Sequence, residues 1–395
     1  MMPGKLVALG TAVIVAAIAV IAIPTASPGG SRRPDAVATG SSLGALPPDV
    51  GSVEAFAFDP RNPKIVYLLA AGPPGIHVDK TTDGGAHWHA TATTGSGWVG
   101  YKEALTADPR HPGTLYVGTE DAVYKTTDGG RTWRPSKRGL FTPPRPTYEF
   151  NRDKGWVVSL AVDLADTSVV YAGSDRVSKS TDGGHTWKTV FPPHPTRYPH
   201  ENVTALAIAP SRPEAIYAIA GDFANPGMTP AIARTSIYRS TDGGATWQTS
   251  AVVRGRVFPT ALAVDPQDPA TVYAAVSRKI LKTTDAGTTW QKIADDRPNA
   301  VTCSCLNHGG VTTLAVDPRH AATVYAGLTE GGIYKTNNGG NTWIRSTADN
   351  LLGDYIVAVD PARPATIYAA AISATADGPR ILRSTNSGRT WTIAN

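Results

Sequence analysis

Seven times the chain repeats one cassette, Thr or Ser, a spacer, Asp or Asn, a spacer, Gly, two spacers, Trp. A repeat at this spacing limits the fold to an array of like units before any single residue is weighed. The copies end at Trp88, Trp133, Trp187, Trp247, Trp290, Trp343 and Trp391, at intervals of 45, 54, 60, 43, 53 and 48 residues. His87 stands in the first copy where the others carry Thr, and Asn338 and Asn386 replace the acid in the last two. Asn keeps a short side-chain oxygen that accepts from turn amides, so the pattern asks for an acceptor and not for a charge.

Ahead of the cassettes lie short alternating apolar runs closed by Asp-Pro: Phe56 to Pro60, Leu262 to Pro266, Leu314 to Pro318 and Val357 to Pro361. Each reads as a strand ending in a turn. A β-branched strand with one Tyr follows, as in Ile65-Val66-Tyr67, and a third strand such as Ala122-Val123-Tyr124-Lys125 runs into the cassette. The cassette is then a hairpin turn, with its fifth-position Gly at positive φ and its Trp opening a fourth strand. Four antiparallel strands per unit, seven times over, predict an all-β seven-bladed propeller of four-stranded blades, whose radial repetition leaves only short edges.

Three segments are expected. Residues 1–26 contain an uncharged stretch of 18 residues, Leu6 to Ile23, preceded by Lys5. It reads as a hydrophobic helix serving as a signal anchor or signal peptide, with the anchor favoured because no clean small-residue cleavage site follows. Residues 27–46 form a Pro/Gly/Ser tether and residues 47–395 the propeller. The expected location is the cell membrane, with a single N-terminal span and the propeller outside, or else secretion.

The net charge is +5, and Lys5, Arg32, Arg33 and Asp35 lie before the repeats, so the propeller itself is nearly balanced. That balance gives no support for a nucleic-acid surface, and none is expected. Cys303 and Cys305, with His308 three residues on, are too few for a disulfide framework. They leave open a strained local disulfide, two loop thiols or, with weak spacing, a metal site. No cofactor or metal is expected, and a monomer is.

Turns between strands one and two and between strands three and four share one face of such a blade, and both are uniform here. Connections on the opposite face vary in length, so ligand contacts belong there. The candidate residues are Arg145, Tyr148, Phe150, Arg152, His194, Arg197, Tyr198 and His200, a mixture of aromatic and basic side chains on Pro-stiffened stretches, and Trp98, a stacking platform set in Gly-Ser-Gly-Trp-Val-Gly. Such a mixture suits a protein or a glycan, and equally an ordinary solvated loop. Trp156 reads as core. No nucleophile elbow, phosphate loop or His-Glu-x-x-His is present, and the adjacent acids Asp295 and Asp296 read as solvated.

The cassette resembles the Asp-box, or BNR repeat, shared by sialidases, xyloglucanase-type glycoside hydrolases, sortilin receptors and photosystem II stability and assembly factors; the Asp-Pro, Val-Tyr, box order is most similar to the last three. The resemblance implies that Asp83, Asp128, Asp182, Asp242, Asp285, Asn338 and Asn386 are structural turn residues remote from any active site. Sialidases carry an arginine ahead of the first box, within a trio, whereas Arg32, Arg33 and Arg61 are the only arginines before Asp83. Xyloglucanase-type enzymes place one catalytic Asp on each of two propellers, and residues 68–75 here hold no carboxylate. The expectation is an extracytoplasmic, non-catalytic propeller that binds a protein or glycan. The alternatives are an exo-acting glycoside hydrolase with a diverged site and an assembly factor for a membrane complex.

Overall fold

The computed structural model describes residues 46–47, 50–72, 75–95, 104–119, 122–140, 157–191, 201–222, 234–254, 261–276, 279–295, 310–329, 331–347, 354–372 and 379–393. Their strands form seven four-stranded antiparallel sheets, each built from four consecutive strands. The blades span residues 52–95, 104–136, 159–191, 201–254, 261–295, 311–345 and 354–393. First strands of neighbouring blades touch all the way round, including blade 7 against blade 1, so they form the inner wall of the ring. The inner strands Ser159–Val162 and Val311–Val316 are wholly buried, whereas the outer strands Arg134–Ser136 and Ile344–Arg345 are largely exposed. The expected N-terminal helix falls outside the described residues.

Seven apolar clusters make up the core, one in each seam between blades. Strand alternation explains this, because successive side chains of one strand enter opposite seams. In blade 1, Phe56, Phe58, Leu68 and Ala70 face blade 7, while Ala55, Ala57, Tyr67 and Leu69 face blade 2. Each box Trp fills the seam between its own blade and the preceding one, as Trp187 does among Tyr116, Leu160 and Val170. Its role is therefore between blades as much as within one.

The structure adds two details to the sequence reading. Both the fourth and fifth box positions take the left-handed conformation, as at Gly84 (φ 77°) and Gly85 (φ 95°), and Ala286 and Ser387 hold it at the fourth position without a glycine. In blade 4, Ala209 stands where a turn Asp is usual. Without that cap the strands pair down to Ala209 and Arg212 across a two-residue turn.

Candidate functional site

The box turn is held by its own side chains. In blade 2 the amides of Asp128 and Gly130 donate to Thr126 Oγ1 (3.3 and 3.0 Å), and the Thr126 hydroxyl donates to Asp128 Oδ1 (2.7 Å). The amide and hydroxyl of Thr132 then donate to the two oxygens of Asp128 (2.9 and 2.7 Å). His87 replaces the threonine without loss: its amide lies 3.0 Å from Asp83 Oδ1 and its Nδ1 2.7 Å from Oδ2. Asn338 accepts from Thr336 Oγ1 and Thr342 N and turns its amide toward Thr342 Oγ1 (2.9 Å).

Those bonds favour the ionised form. The Thr132 amide and hydroxyl hold Asp128 at about 2, and the Thr246 and Thr289 hydroxyls and amides do the same for Asp242 and Asp285. A carboxylate lowered in the folded state stabilises above its ordinary value of 3.8, and that contribution is lost as pH falls toward about 2. Changing Asp128, Asp242 and Asp285 together to Asn should leave the melting temperature at pH 7 close to that of the parent and flatten the loss of stability between about pH 4 and 2. Thermal melts across that range check it, and an unchanged acid limb would overturn the assignment.

The same face carries two rings of links between blades. A box amide first ties each box to the turn between strands one and two of its own blade, as Gly84 N to Lys64 O (2.9 Å) and Gly339 N to Ala322 O (2.8 Å). The Tyr of strand two and the Lys or Arg just before the box then reach the next blade. Tyr171 and Lys179 both donate to Gly243 O (2.8 and 2.9 Å), and Tyr325 and Lys335 to Ser387 O (3.1 and 2.9 Å). Lys179 also lies over the Tyr171 ring, 5.3 Å from its centroid. Tyr217 departs from the pattern and donates to Pro269 O (3.0 Å). Burial pushes the hydroxyls of Tyr67, Tyr217 and Tyr273 up to about 12, so they remain donors at neutral pH.

Nearer the axis, Arg319 donates to Ala362 O (3.1 Å) and Gln267 to Pro318 O (3.4 Å), while Arg363 reaches Pro63 O across the closing seam. The seam between blades 7 and 1 uses the same outer clasp: Tyr368 and Arg383 donate to Gly84 O (3.0 and 2.8 Å). Among the described residues no strand crosses over to close the ring.

All seven box residues named from the sequence therefore sit in these turns, on the face away from the strand ends that bracket the long connections. Gly95, Ala104, Phe191 and Glu201 are such ends, at the opposite rim. The candidate ligand residues Trp98, Arg145, Tyr148, Phe150, Arg152, His194, Arg197, Tyr198 and His200, together with Trp156, Cys303, Cys305 and His308, lie outside the described residues. Among the described residues, no three His, Cys, Asp or Glu side chains group as a metal site.

The clasp residues escaped the sequence reading, although the signal was present: Lys80, Lys125, Lys179, Arg239, Lys282, Lys335 and Arg383 each directly precede a box. Also missed was a polar group on blade 1. Glu54, His77 and Asp79 are buried, with exposures of 8, 3 and 0%. Ser52 Oγ donates to Glu54 Oε1 (2.6 Å), and His77 Nε2 lies 3.7 Å from Asp79 Oδ1.

The family model for the BNR/Asp-box repeat matches residues 238–249, the cassette of blade 4. The chain carries the BNR/Asp-box repeat. It is 30% identical over 181 residues to a xyloglucanase of Acetivibrio thermocellus, covering 39% of this chain and 21% of that protein. The chain thus spans about a fifth of the length of such curated relatives. Among solved structures, the GH74 enzyme of Niastella koreensis superposes with a TM-score of 0.57 at 18% identity, covering 87% of this chain and 59% of that one. YCF48 from Cyanidioschyzon merolae superposes with a TM-score of 0.55 at 14% identity, covering 86% and 97%. At these identities the likeness is one of fold.

Proposed function

We propose that this chain is a binding propeller that captures a protein or glycan on the face opposite its boxes, held outside the cytoplasm by its N-terminal segment. The observation that carries the reading is the engagement of the box face. Its box acids are saturated by turn hydrogen bonds and its Tyr, Lys and Arg side chains reach neighbouring blades, so little on it is free to recognise a ligand. The connections at the other rim vary in length and composition, and their aromatic and basic residues are the natural contacts. Similarity to xyloglucanases supports an extended glycan as one ligand class.

That similarity also supports a second reading, glycoside hydrolysis, which requires two carboxylates set across the sugar. A screen of the full chain against xyloglucan and aryl glycosides separates the two. Turnover abolished by replacing one rim acid would replace the binding reading.

For binding, Tyr148→Ala, Phe150→Ala and Tyr198→Ala should each weaken retention on immobilised xyloglucan, or on a protein partner captured from membranes, by about tenfold, the loss of one stacking contact. Their melting temperatures should stay unchanged, as should binding by the box-face variant Arg389→Ala. Weakened binding in Arg389→Ala with none in the three aromatic variants would place the ligand on the wrong face for this proposal.

A further inference from the structure

Charge is sorted round the box face. Every turn of that face lies among the described residues. Two kinds of charge recur from blade to blade and offset one another: the acid that caps the turn between strands one and two, and the Lys or Arg that precedes the box. What distinguishes the blades is the exposed tips of the turns. On blades 6, 7, 1 and 2, which are consecutive in the ring, these carry Arg319, Arg389, Arg61, Lys64, Arg110 and Arg131, against the box acids Asp83 and Asp128. On blades 3, 4 and 5 they carry Asp166, Asp182, Glu214, Asp242, Asp268 and Asp285, against Arg212.

One repeat position shows the reversal directly. The carbonyls of Lys64 and Glu214 each accept the box amide of their own blade, at 2.9 and 3.0 Å, yet their side chains carry opposite charge. The basic arc also contains the two neutral boxes. Asn338 and Asn386 accept from a box hydroxyl and a box amide just as the acids do, so the turns are built alike and only the field above them changes. Arg61 and Arg319 reach a carbonyl of the next turn and remain exposed.

A uniformly charged partner would suit one arc and be repelled by the other. A second copy of the chain suits both. In a regular ring of seven, consider a twofold axis lying in the face, at right angles to the line from blade 4 to the seam between blades 7 and 1. It turns the basic arc of each copy onto the acidic arc of the other, and because seven is odd it sets every blade over a seam.

We propose that the chain is not confined to the monomer expected from its sequence, and that two copies pair box face to box face about this axis. Blade 4 of one copy then lies over the seam between blades 7 and 1 of the other. At the inner radius, where strands one and two turn, Glu214 meets Lys64 and Asp166 meets Arg61 and Arg110. At the outer radius, where the boxes stand, Asp242 meets Arg389. Each exposed pair contributes little alone and is screened by salt, so pairing depends on the two arcs as wholes and weakens as ionic strength rises. The variable rims of both copies stay clear of this contact.

The test is sedimentation of the full chain, kept in nonionic detergent, at about 50 and about 500 mM NaCl. A dimer is expected at the lower salt with a dissociation constant of about 10 µM, weakened about tenfold or more at the higher. Arg61→Glu with Lys64→Glu on the basic arc, and Asp166→Lys with Glu214→Lys on the acidic arc, should each weaken self-pairing about tenfold or more. Their melting temperatures should stay close to the parent's, because these side chains are exposed. An equimolar mixture of the two variants should pair again, since the reversed groups then oppose each other with unlike sign. If the acidic-arc variant does not fold, because Asp166 also holds Ser168, Glu214→Lys alone reads the same loss and the same rescue. A parent still monomeric at about 100 µM in low salt, a dimer indifferent to salt and to both variants, or variants that lose pairing and do not regain it when mixed would overturn the proposal. So would a parent that associates only when polyglutamate is added, which would give the basic arc a different partner.

Discussion

Tyr368→Ala is expected to lower the unfolding free energy by about 3–5 kcal/mol, the range for emptying a buried aromatic site. Tyr368 is fully buried, packs 6.2 Å from the Phe56 ring and 5.8 Å from the Phe58 ring, and donates to Gly84 O at 3.0 Å. Tyr368→Phe keeps the ring and isolates the hydroxyl, at about 1 kcal/mol. The equivalent Tyr171→Ala removes the same contacts from the seam between blades 3 and 4. There the chain continues from one blade to the next and keeps the two at high local concentration. Among the described residues no connection joins blade 7 to blade 1 in this way, and Tyr368→Ala should therefore unfold over a broader urea transition with a smaller slope. Urea curves for the three variants check this; a loss below about 1 kcal/mol for Tyr368→Ala would mean that the ring is closed elsewhere.

Gly327→Val is the second large effect, at about 3 kcal/mol, the upper end for overpacking a filled interior. Gly327 lies on the second strand of blade 6 with ordinary extended backbone, so its role is one of space and not of conformation. A Cβ there would strike the carbonyl oxygen of Tyr355 on the inner strand of blade 7 and come within 2.8 Å of Thr313 Oγ1. Neither can retreat easily, because Thr313 Oγ1 accepts from Val357 N at 3.0 Å and Tyr355 O accepts from Thr312 Oγ1. Gly118 stands at the same repeat position in blade 2, where its Cβ would meet the Val157 carbonyl. Leu69, Ile219, Ala275 and Ala370 occupy that position in blades 1, 4, 5 and 7, so the seams are not identical in width. Soluble yield and melting temperature measure the effect. A Gly327→Val protein as stable as the parent would mean that blade 7 can slide outward.

The architecture was legible because it is written seven times. A single Thr-x-Asp-x-Gly-x-x-Trp would be a turn among many, but seven at blade spacing leave few folds, and the acceptor role of the third position was visible in Asn338 and Asn386. The clasp was equally present in the letters, yet Tyr67 or Lys80 taken alone has an ordinary reading as strand filler or solvated charge. Its meaning depends on which blade lies next to which, and that is set only when the ring closes. The polar group of blade 1 was hidden for a related reason: alternation along Gly75–Thr81 puts His77 and Asp79 on one face, but a strand pattern does not say whether that face meets water or another sheet. Ligand contacts were assigned by elimination, from loop length and composition, and rest on segments whose chemistry does not repeat.

Strand direction within the blades carries one more consequence. The inner strand of blade 1 runs from Ser52 toward the box side, and the outer strand of blade 7 runs back from the box side to Ile393. Entry and exit of the described chain thus share the rim from which the long connections spring. If the apolar stretch from Leu6 to Ile23 sits in a bilayer, the ring hangs with its variable rim turned inward to the lipid surface and its boxes outward to the medium. A ligand would then be met in the narrow gap beneath the disc, and the span of the tether would set how tall that ligand can be.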